Sequence, residues 1–185
     1  MKIYKSVIKV AIILSALLLV GCDDFFDDEL ESDATIVEVN KKVRDASDDS
    51  FYFETVDIDG NKVSSDDFSD AKVIMINFWE PWCGPCVGEM SDLEMIYQNY
   101  KDEGFVILGV FTSEGMDKDV INVIEQTGVT YPIIRATKSM QPYMTQFVPT
   151  TVFFDSEWNM LIDEQIPGAR SYEEWESLVE LMLED

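Results

Sequence analysis

The chain alternates between short apolar runs and amphipathic stretches, which predicts a sheet with helices packed on it. Two continuous apolar runs of strand length, Lys72–Trp79 and Phe105–Phe111, predict buried central strands. Between these runs, apolar residues recur at helical spacing as far as Tyr100, and Gly104 closes the segment. Asp117–Gly128 is a second helical segment and again ends in glycine. The order of elements is therefore strand, helix, strand, helix.

The sequence predicts a hairpin before this central region, and a second hairpin and a terminal helix after it. An Asp-Gly pair at 59–60 lies between alternating stretches and predicts an N-terminal β-hairpin. Thr150–Asp155 and Asn159–Ile166 predict a second hairpin, and Ser171–Leu183 predicts a terminal helix that begins with a Ser-x-x-Glu capping box. The whole pattern predicts an α/β fold in which a central mixed sheet is flanked by helices.

The first residues have the layout of an export signal. Three lysines precede an apolar run over Val10–Val20, which is short for a membrane-spanning helix. The end of the run, Leu19-Val20-Gly21-Cys22, resembles the bacterial lipobox. That resemblance implies cleavage before Cys22, diacylglycerol on its sulfur, and a protein anchored by lipid on the extracytoplasmic face of the bacterial cell membrane. The alternative is an uncleaved anchor with an incidental cysteine.

Charge and composition divide the chain into three segments. Residues 1–21 are the predicted signal peptide, and residues 22–49 are an acidic, flexible tether in which seven of the eleven residues from Asp23 to Asp33 are acidic. Residues 50–185 are the predicted folded domain. The chain has 37 acidic and 13 basic residues, a net charge of −24, which disfavours binding to nucleic acid or to anionic lipid headgroups.

Cys83 and Cys86 are the cysteines that lipidation leaves free, and four interpretations of this pair are weighed, of which haem attachment is excluded by the sequence. A zinc site needs about four ligands, but the chain has no histidine, so no metal site is expected. Covalent haem attachment needs a histidine directly after the second cysteine, where Val87 stands. A purely structural disulfide would close a loop too small to restrict the unfolded chain much. A redox-active pair is favoured.

The position of the pair explains why redox chemistry is favoured. It lies where a buried strand meets a helix, so the positive end of the helix dipole favours the thiolate form of Cys83 and lowers its pKa. Gly84 and Pro85 form the active-site turn, and proline is tolerated in the first helical turn. We expect the sulfur of Cys83 to be open to solvent and that of Cys86 to be more buried.

The motif Trp82-Cys83-Gly84-Pro85-Cys86 resembles the active-site signature of the thioredoxin superfamily. The region Phe51–Leu183 resembles the extracytoplasmic TlpA/ResA-like branch of thiol-disulfide oxidoreductases. Features of that branch are the N-terminal hairpin, Asn77 in the strand position where thioredoxin has a buried acid, and an inserted strand–helix unit, expected within Gly115–Arg135. The resemblance implies a thioredoxin-like fold.

The same resemblance assigns roles to several further residues. Pro149 is the expected cis-proline, and the backbone of Val148 would pair with a substrate peptide. Trp82 would shield Cys83 and form part of the docking surface. Glu89 is a candidate proton acceptor for Cys86, or else one more acid on a solvated helix face. Glu80-Pro81 departs from the usual motif and is expected to alter the surface that meets a partner.

These assignments predict a membrane-tethered protein-disulfide reductase that needs no cofactor. Its substrates would be disulfide-containing exported proteins, and the resemblance implies re-reduction by a thiol-carrying membrane protein of the CcdA/DsbD type. The alternatives are a disulfide-forming oxidant, a thiol peroxidase of the AhpC/TSA kind, or a binding module without enzymatic activity. The residues before Cys83 are Glu-Pro-Trp, whereas the peroxidases usually have a Thr-x-x-Cys turn.

Overall fold

The computed structural model describes residues 51–184, which fold into seven strands and three α-helices. In chain order these elements are β1 (Glu54–Val56), β2 (Lys62–Ser64), β3 (Val73–Phe78), α1 (Gly84–Tyr100), β4 (Phe105–Phe111), α2 (Asp117–Thr127), β5 (Ile133–Arg135), β6 (Thr150–Phe154), β7 (Ile166–Pro167) and α3 (Tyr172–Glu184). Short 3-10 helices cover Ser65–Phe68, Lys101–Glu103 and Lys138–Tyr143. The leader, Cys22 and the tether lie outside the described residues.

The strands form a hairpin and a mixed five-stranded sheet. β1 and β2 pair in antiparallel register around the predicted Asp-Gly turn. The sheet has the order β5-β4-β3-β6-β7, with β3, β4 and β5 parallel to one another and β6 antiparallel to β3. β7 is antiparallel to β6. The predicted central strands β3 and β4 are confirmed, and α2 with β5 fills the segment in which an inserted strand–helix unit was expected.

Each face of the sheet is covered by a separate apolar core, because side chains alternate between faces along a strand. The three α-helices pack on one face, where buried residues of α1 such as Met90 and Leu93 meet Met75 of β3. The hairpin and two of the 3-10 helices cover the other face, where Phe53, Phe68 and Met140 meet alternate residues of β3, β4 and β6. Both faces of β3 are therefore buried, as its unbroken apolar sequence predicts.

The predicted second hairpin turns where expected, but its second strand, predicted over Asn159–Ile166, is interrupted. The N–H of Asp155 donates to the carbonyl oxygen of Asn159, the N–H of Leu161 donates to that of Phe153, and Met160 bridges to Phe154. Pairing then stops after Leu161 and resumes at β7. In the turn, the Oδ1 of Asp155 accepts hydrogen bonds from two backbone N–H groups downstream, at 2.8 and 2.9 Å. Trp158 adopts a positive φ of 63° there and packs against the core on the hairpin side of the sheet.

The terminal helix begins as predicted. The N–H of Ser171 donates to Glu174 Oε2 at 2.9 Å, and the N–H of Glu174 donates to Ser171 Oγ at 3.3 Å. This reciprocal pair is the capping box, and it satisfies backbone donors that the first helical turn leaves free. Among residues 51–184, no helix has both the length and the apolar character needed to cross a bilayer.

Gly109 in β4 leaves no room for a side chain in the core beneath the helices. A Cβ added there would lie 2.4 Å from Ile133 Cδ1 and 3.2 Å from Trp79 Nε1. We expect Gly109→Ala to lower the free energy of unfolding by about 1–3 kcal/mol, because overpacking forces neighbouring side chains to move. Urea denaturation measures the change.

Gly88→Ala is the matched control for this substitution. A Cβ at Gly88, inside α1, meets nothing within 4 Å. It should leave the protein as stable or more stable by up to about 1 kcal/mol, since alanine favours helix. Equal stability of Gly109→Ala and the wild-type protein would contradict the described packing of β4 against β5.

Candidate active site

A disulfide joins Cys83 and Cys86 at the N-terminus of α1, with their Cα atoms 5.3 Å apart. Cys83 is the N-cap of the helix, and its Sγ accepts a hydrogen bond from the N–H of Cys86 at 3.2 Å. Pro85 lies in the first helical turn, as predicted. The turn that follows β3 thus places the first sulfur where backbone N–H groups and the positive end of the helix dipole converge.

The expectation of an open sulfur at Cys83 is wrong for the disulfide form. Cys83 is only 5% exposed, and Cys86 is fully buried. The covering groups come from the partner sulfur and from the loop before β6, where the carbonyl oxygen of Val148 lies 3.5 Å from Cys83 Sγ. Cys83 is nevertheless the more accessible of the two, so the predicted order of burial is confirmed.

Polar and aromatic groups surround the covered disulfide. Trp82 is 64% exposed and Phe147 is 71% exposed, although large aromatic side chains are usually mostly buried. Gly84 and Pro85 of the active-site turn are also exposed. Trp82 stands beside the disulfide with most of its surface available to another molecule.

The peptide bond between Val148 and Pro149 is cis, which confirms the expectation taken from the motif resemblance. Pro149 is buried, and its carbonyl oxygen accepts a hydrogen bond from the N–H of Gly168 at 2.8 Å. Val148 is half-buried. The structure thus brings residues 82 to 86 together with Val148, which lies 65 positions further along the chain than Cys83.

Glu89 lies on α1 three positions after Cys86, so the two side chains share a face of the helix. It is 3% exposed and is not part of a solvated surface. Its Oε1 accepts from Asn77 Nδ2 at 3.1 Å, and its Oε2 accepts from Trp175 Nε1 and from the N–H of Arg170, both at 3.1 Å. The sequence did not identify Trp175 and Arg170 as partners, because both come from the α3 end of the chain.

Burial raises the pKa of Glu89 above its ordinary value of 4.5, although the hydrogen bonds from Trp175, Arg170 and Asn77 oppose the shift. A carboxylate with a raised pKa binds a proton more readily near neutral pH than an exposed one does. The candidate proton acceptor is therefore buried on the same helix face as Cys86, with a raised pKa.

Sequence reasoning missed the role of Glu80. The sequence did not predict that its side chain is buried, at 4% exposed. Its Oε1 accepts from the N–H of Thr112 at 2.8 Å, and its Oε2 accepts from the N–H of Ser113 at 3.3 Å. The Glu80 carboxylate is therefore held inside the protein by the loop after β4.

The sequence around Glu80 contained a local indication that this side chain is buried. Glu80 follows the last residue of β3 by two positions and lies between Trp79 and Pro81, so it is an acid inside an otherwise apolar motif. Its partners Thr112 and Ser113 lie beyond the end of β4 and could not be inferred from the local sequence.

The fold and the site define a class of protein, a thioredoxin-like domain with a Cys-x-x-Cys disulfide at a helix N-terminus. Comparison with known proteins agrees. The model of the AhpC/TSA family matches residues 43–172. A thiol-disulfide oxidoreductase ResA from Bacillus thuringiensis (strain Al Hakam) is 30% identical over 126 residues, which is 67% of this chain and 70% of that protein. ResA from Geobacillus kaustophilus is 31% identical over 130 residues, 69% of this chain and 72% of that protein.

Solved structures give the same result. A thiol:disulfide interchange protein of the thioredoxin family from Chlorobium tepidum TLS is 26% identical, with a TM-score of 0.64, and the match covers 72% of this chain and 94% of that one. StoA from Bacillus subtilis, at 20% identity and a TM-score of 0.57, shares the fold, and that match covers 69% of this chain and 96% of that one.

The chain belongs to the AhpC/TSA family of thioredoxin-like redoxins. It is a thiol-disulfide oxidoreductase whose redox pair is Cys83 and Cys86.

The raised pKa of Glu89 predicts a pH-dependent contribution to stability. Between 4.5 and the higher pKa of the folded state, the folded protein binds more protons at this site than the unfolded chain does. Stability contributed by the protonated group is therefore present at low pH and is lost as the pH rises through the folded pKa. We expect the free energy of unfolding of Glu89→Gln to rise relative to that of the wild-type protein as the pH increases from about 4.5 towards neutrality.

Urea denaturation of both oxidised proteins across that range measures this difference. Glu94→Gln controls for the loss of one negative charge from the same helix. A difference between Glu89→Gln and wild type that stays constant with pH, or that changes in the opposite direction, would contradict the assigned environment of Glu89.

Proposed function

We propose that the protein is a membrane-tethered reductase of disulfides in exported proteins, acting outside the cytoplasm. The observation that carries this proposal is the Cys83–Cys86 disulfide at the N-terminus of α1, beside exposed Trp82 and the carbonyl oxygen of Val148. Covalent exchange with a partner requires a reactive sulfur next to a surface that a polypeptide can contact. This site has both.

Reduction of a substrate begins from the dithiol. The Cys83 thiolate attacks one sulfur of the substrate disulfide, forming a mixed disulfide and releasing the other substrate sulfur as a thiolate. Cys86 then loses its proton and attacks the Sγ of Cys83, so that the Cys83–Cys86 disulfide forms and the second substrate thiolate leaves. The pair supplies two electrons, and the substrate takes them up. Glu89, on the same helix face as Cys86, accepts the proton.

The substrate contact is formed by the loop before β6. The half-buried Val148 has its carbonyl oxygen 3.5 Å from the sulfur that reacts first. A substrate strand lying against the Val148 backbone would bring its own disulfide to Cys83, by the main-chain pairing that extended peptides use. In the dithiol form, the same carbonyl oxygen can accept a hydrogen bond from the Cys83 thiol.

Two features favour the reducing direction. Oxidants of this kind owe their high potential to a strongly stabilised thiolate. Here the helix N-terminus favours the thiolate of Cys83, but the carbonyl oxygen of Val148, 3.5 Å from its sulfur, presents partial negative charge towards it and opposes it. The Gly-Pro dipeptide between the cysteines also resembles that of reducing thioredoxins. Re-reduction would come from a membrane protein of the CcdA/DsbD type.

The resolving role of Cys86 predicts a trapped intermediate. In Cys86→Ser the mixed disulfide on Cys83 forms but has no intramolecular thiol to release it. We expect adducts of higher mass on non-reducing gels of cells that produce this variant, and their loss on addition of dithiothreitol.

Cys83→Ser is the matched control, since it removes the attacking sulfur and should form no adducts. Absence of adducts from Cys86→Ser, or equal amounts from both variants, would contradict the assigned order of attack.

Lipidation at Cys22 predicts that the chain carries acyl groups in its host. Cells fed a palmitate analogue should label the wild-type protein and Cys83→Ser, but not Cys22→Ala, because only Cys22 follows the lipobox. Mass analysis of the mature N-terminus should place the modification on that residue. Equal labelling of Cys22→Ala would show that the lipid is attached elsewhere. Absence of label from the wild-type protein would contradict a lipid anchor.

A further inference from the structure

Glu80 is a buried acid that the exchange chemistry does not use. It lies three positions before Cys83 and is 4% exposed. Burying a carboxylate is costly unless several donors reach it. The hydrogen-bond donors around the Glu80 carboxylate therefore show which parts of the structure this side chain connects.

Within residues 51–184, the side-chain hydrogen bonds of Glu80 go to two consecutive residues after β4. Oε1 accepts from the N–H of Thr112 at 2.8 Å and from its hydroxyl. Oε2 accepts from the N–H of Ser113 at 3.3 Å and from its hydroxyl. The backbone carbonyl of Glu80 accepts from the N–H of Cys83 at 2.9 Å. One residue thus links the loop after β4 to the turn that carries the reactive sulfur.

Ser113 extends this link to the exposed indole. Its Oγ donates its hydrogen to Glu80 and accepts a hydrogen bond from Trp82 Nε1 at 3.3 Å. The loop side is fixed as well, because Arg135 Nη1 donates to the carbonyl oxygen of Ser113 at 3.1 Å. Trp82 is 64% exposed, so a polar relay through Ser113 to Glu80 orients its ring where packing contributes little.

We propose that Glu80 is a positioning residue that fixes the Trp82 indole, through Ser113, as a rigid docking surface for polypeptide substrates. The inference rests on the proposed function and concerns how a protein substrate is recognised. An exposed side chain that is free to rotate loses conformational entropy when a partner docks on it. A tryptophan oriented in advance avoids that loss, which is how rigid aromatic anchors strengthen binding surfaces.

The variant Ser113→Ala separates a role of Glu80 in substrate docking from a role in stabilising the fold. That variant removes the acceptor of the Trp82 N–H but leaves both Thr112 contacts with Glu80 in place. Glu80→Gln places an amide NH₂ group among donors and disrupts the relay at its other end. Glu94→Gln is the matched control, because Glu94 also accepts from the N–H and the hydroxyl of one threonine, Thr130, each at 2.7 Å.

The test compares a protein disulfide with a small one. Rates are measured for the reduced protein with insulin and with the small aromatic disulfide DTNB. For Ser113→Ala and Glu80→Gln, we expect the insulin rate to fall about two- to tenfold, the range that ordering one side chain corresponds to. The DTNB rate should change less than about twofold, since a small disulfide needs no docking surface. Ser113→Thr, which keeps the hydroxyl, should restore the insulin rate.

A second measurement follows the indole itself. The ¹⁵N heteronuclear NOE of the Trp82 side chain, assigned with Trp82→Phe, should be that of a rigid group in the wild type and in Glu94→Gln. It should fall in Ser113→Ala and Glu80→Gln. In a Trp82→Phe background, Ser113→Ala should cause no further loss of insulin rate, because phenylalanine has no N–H to hold.

The possible failures are distinguishable. An indole that stays rigid without the Ser113 hydroxyl, or equal losses with insulin and DTNB, would overturn the role of Glu80 and leave the proposed function standing. A wild-type protein that reacts with DTNB but reduces no protein disulfide would overturn the proposed function. The NOE comparison would then still decide whether Glu80 positions Trp82.

Discussion

The position of the Cys83 sulfur as the cap of helix α1 is the constraint on which the rest of the site depends. The sulfur accepts the N–H of Cys86, bonds covalently to the sulfur of that residue, and lies 3.5 Å from the carbonyl oxygen of Val148. β3 ends just before it and is buried on both faces, which fixes where the helix begins. Moving the helix start would displace the attacking sulfur, the resolving sulfur and Glu89 together, since all belong to α1 or its cap.

Two buried acids beside this helix start serve different purposes. Glu89 accepts hydrogen bonds from three N–H groups, its pKa is raised by burial, and in the proposed reaction it takes the proton of Cys86. Glu80 accepts the N–H and hydroxyl groups of two consecutive loop residues and orients Trp82 through one of them. Among the acidic residues of the range 51–184, Glu80 and Glu89 are the ones that are buried.

Local sequence predicted the elements whose signals are local. The apolar runs of β3 and β4, the Asp-Gly hairpin and the Ser171 capping box were all found where expected. The cis bond at Pro149 came from the motif resemblance and not from any local pattern. The strand predicted over Asn159–Ile166 pairs with β6 at its two ends but is interrupted after Leu161, which no local pattern indicated. Contacts distant in sequence account for the remaining differences. The covering of Cys83 depends on Val148, and the burial of Glu80 depends on loop residues more than thirty positions away. An acid in a strongly acidic chain is expected to be exposed, so composition argued against both buried carboxylates.

The most direct measurement is an equilibrium titration of the Cys83–Cys86 pair in thiol-disulfide redox buffers. A reducing Cys83–Cys86 pair should show one reversible two-electron transition, with a midpoint near that of thioredoxin, roughly −270 mV. Absence of a reversible transition would contradict the assignment of a redox-active pair. A midpoint near that of the strong oxidant DsbA, roughly −120 mV, would contradict the reducing direction.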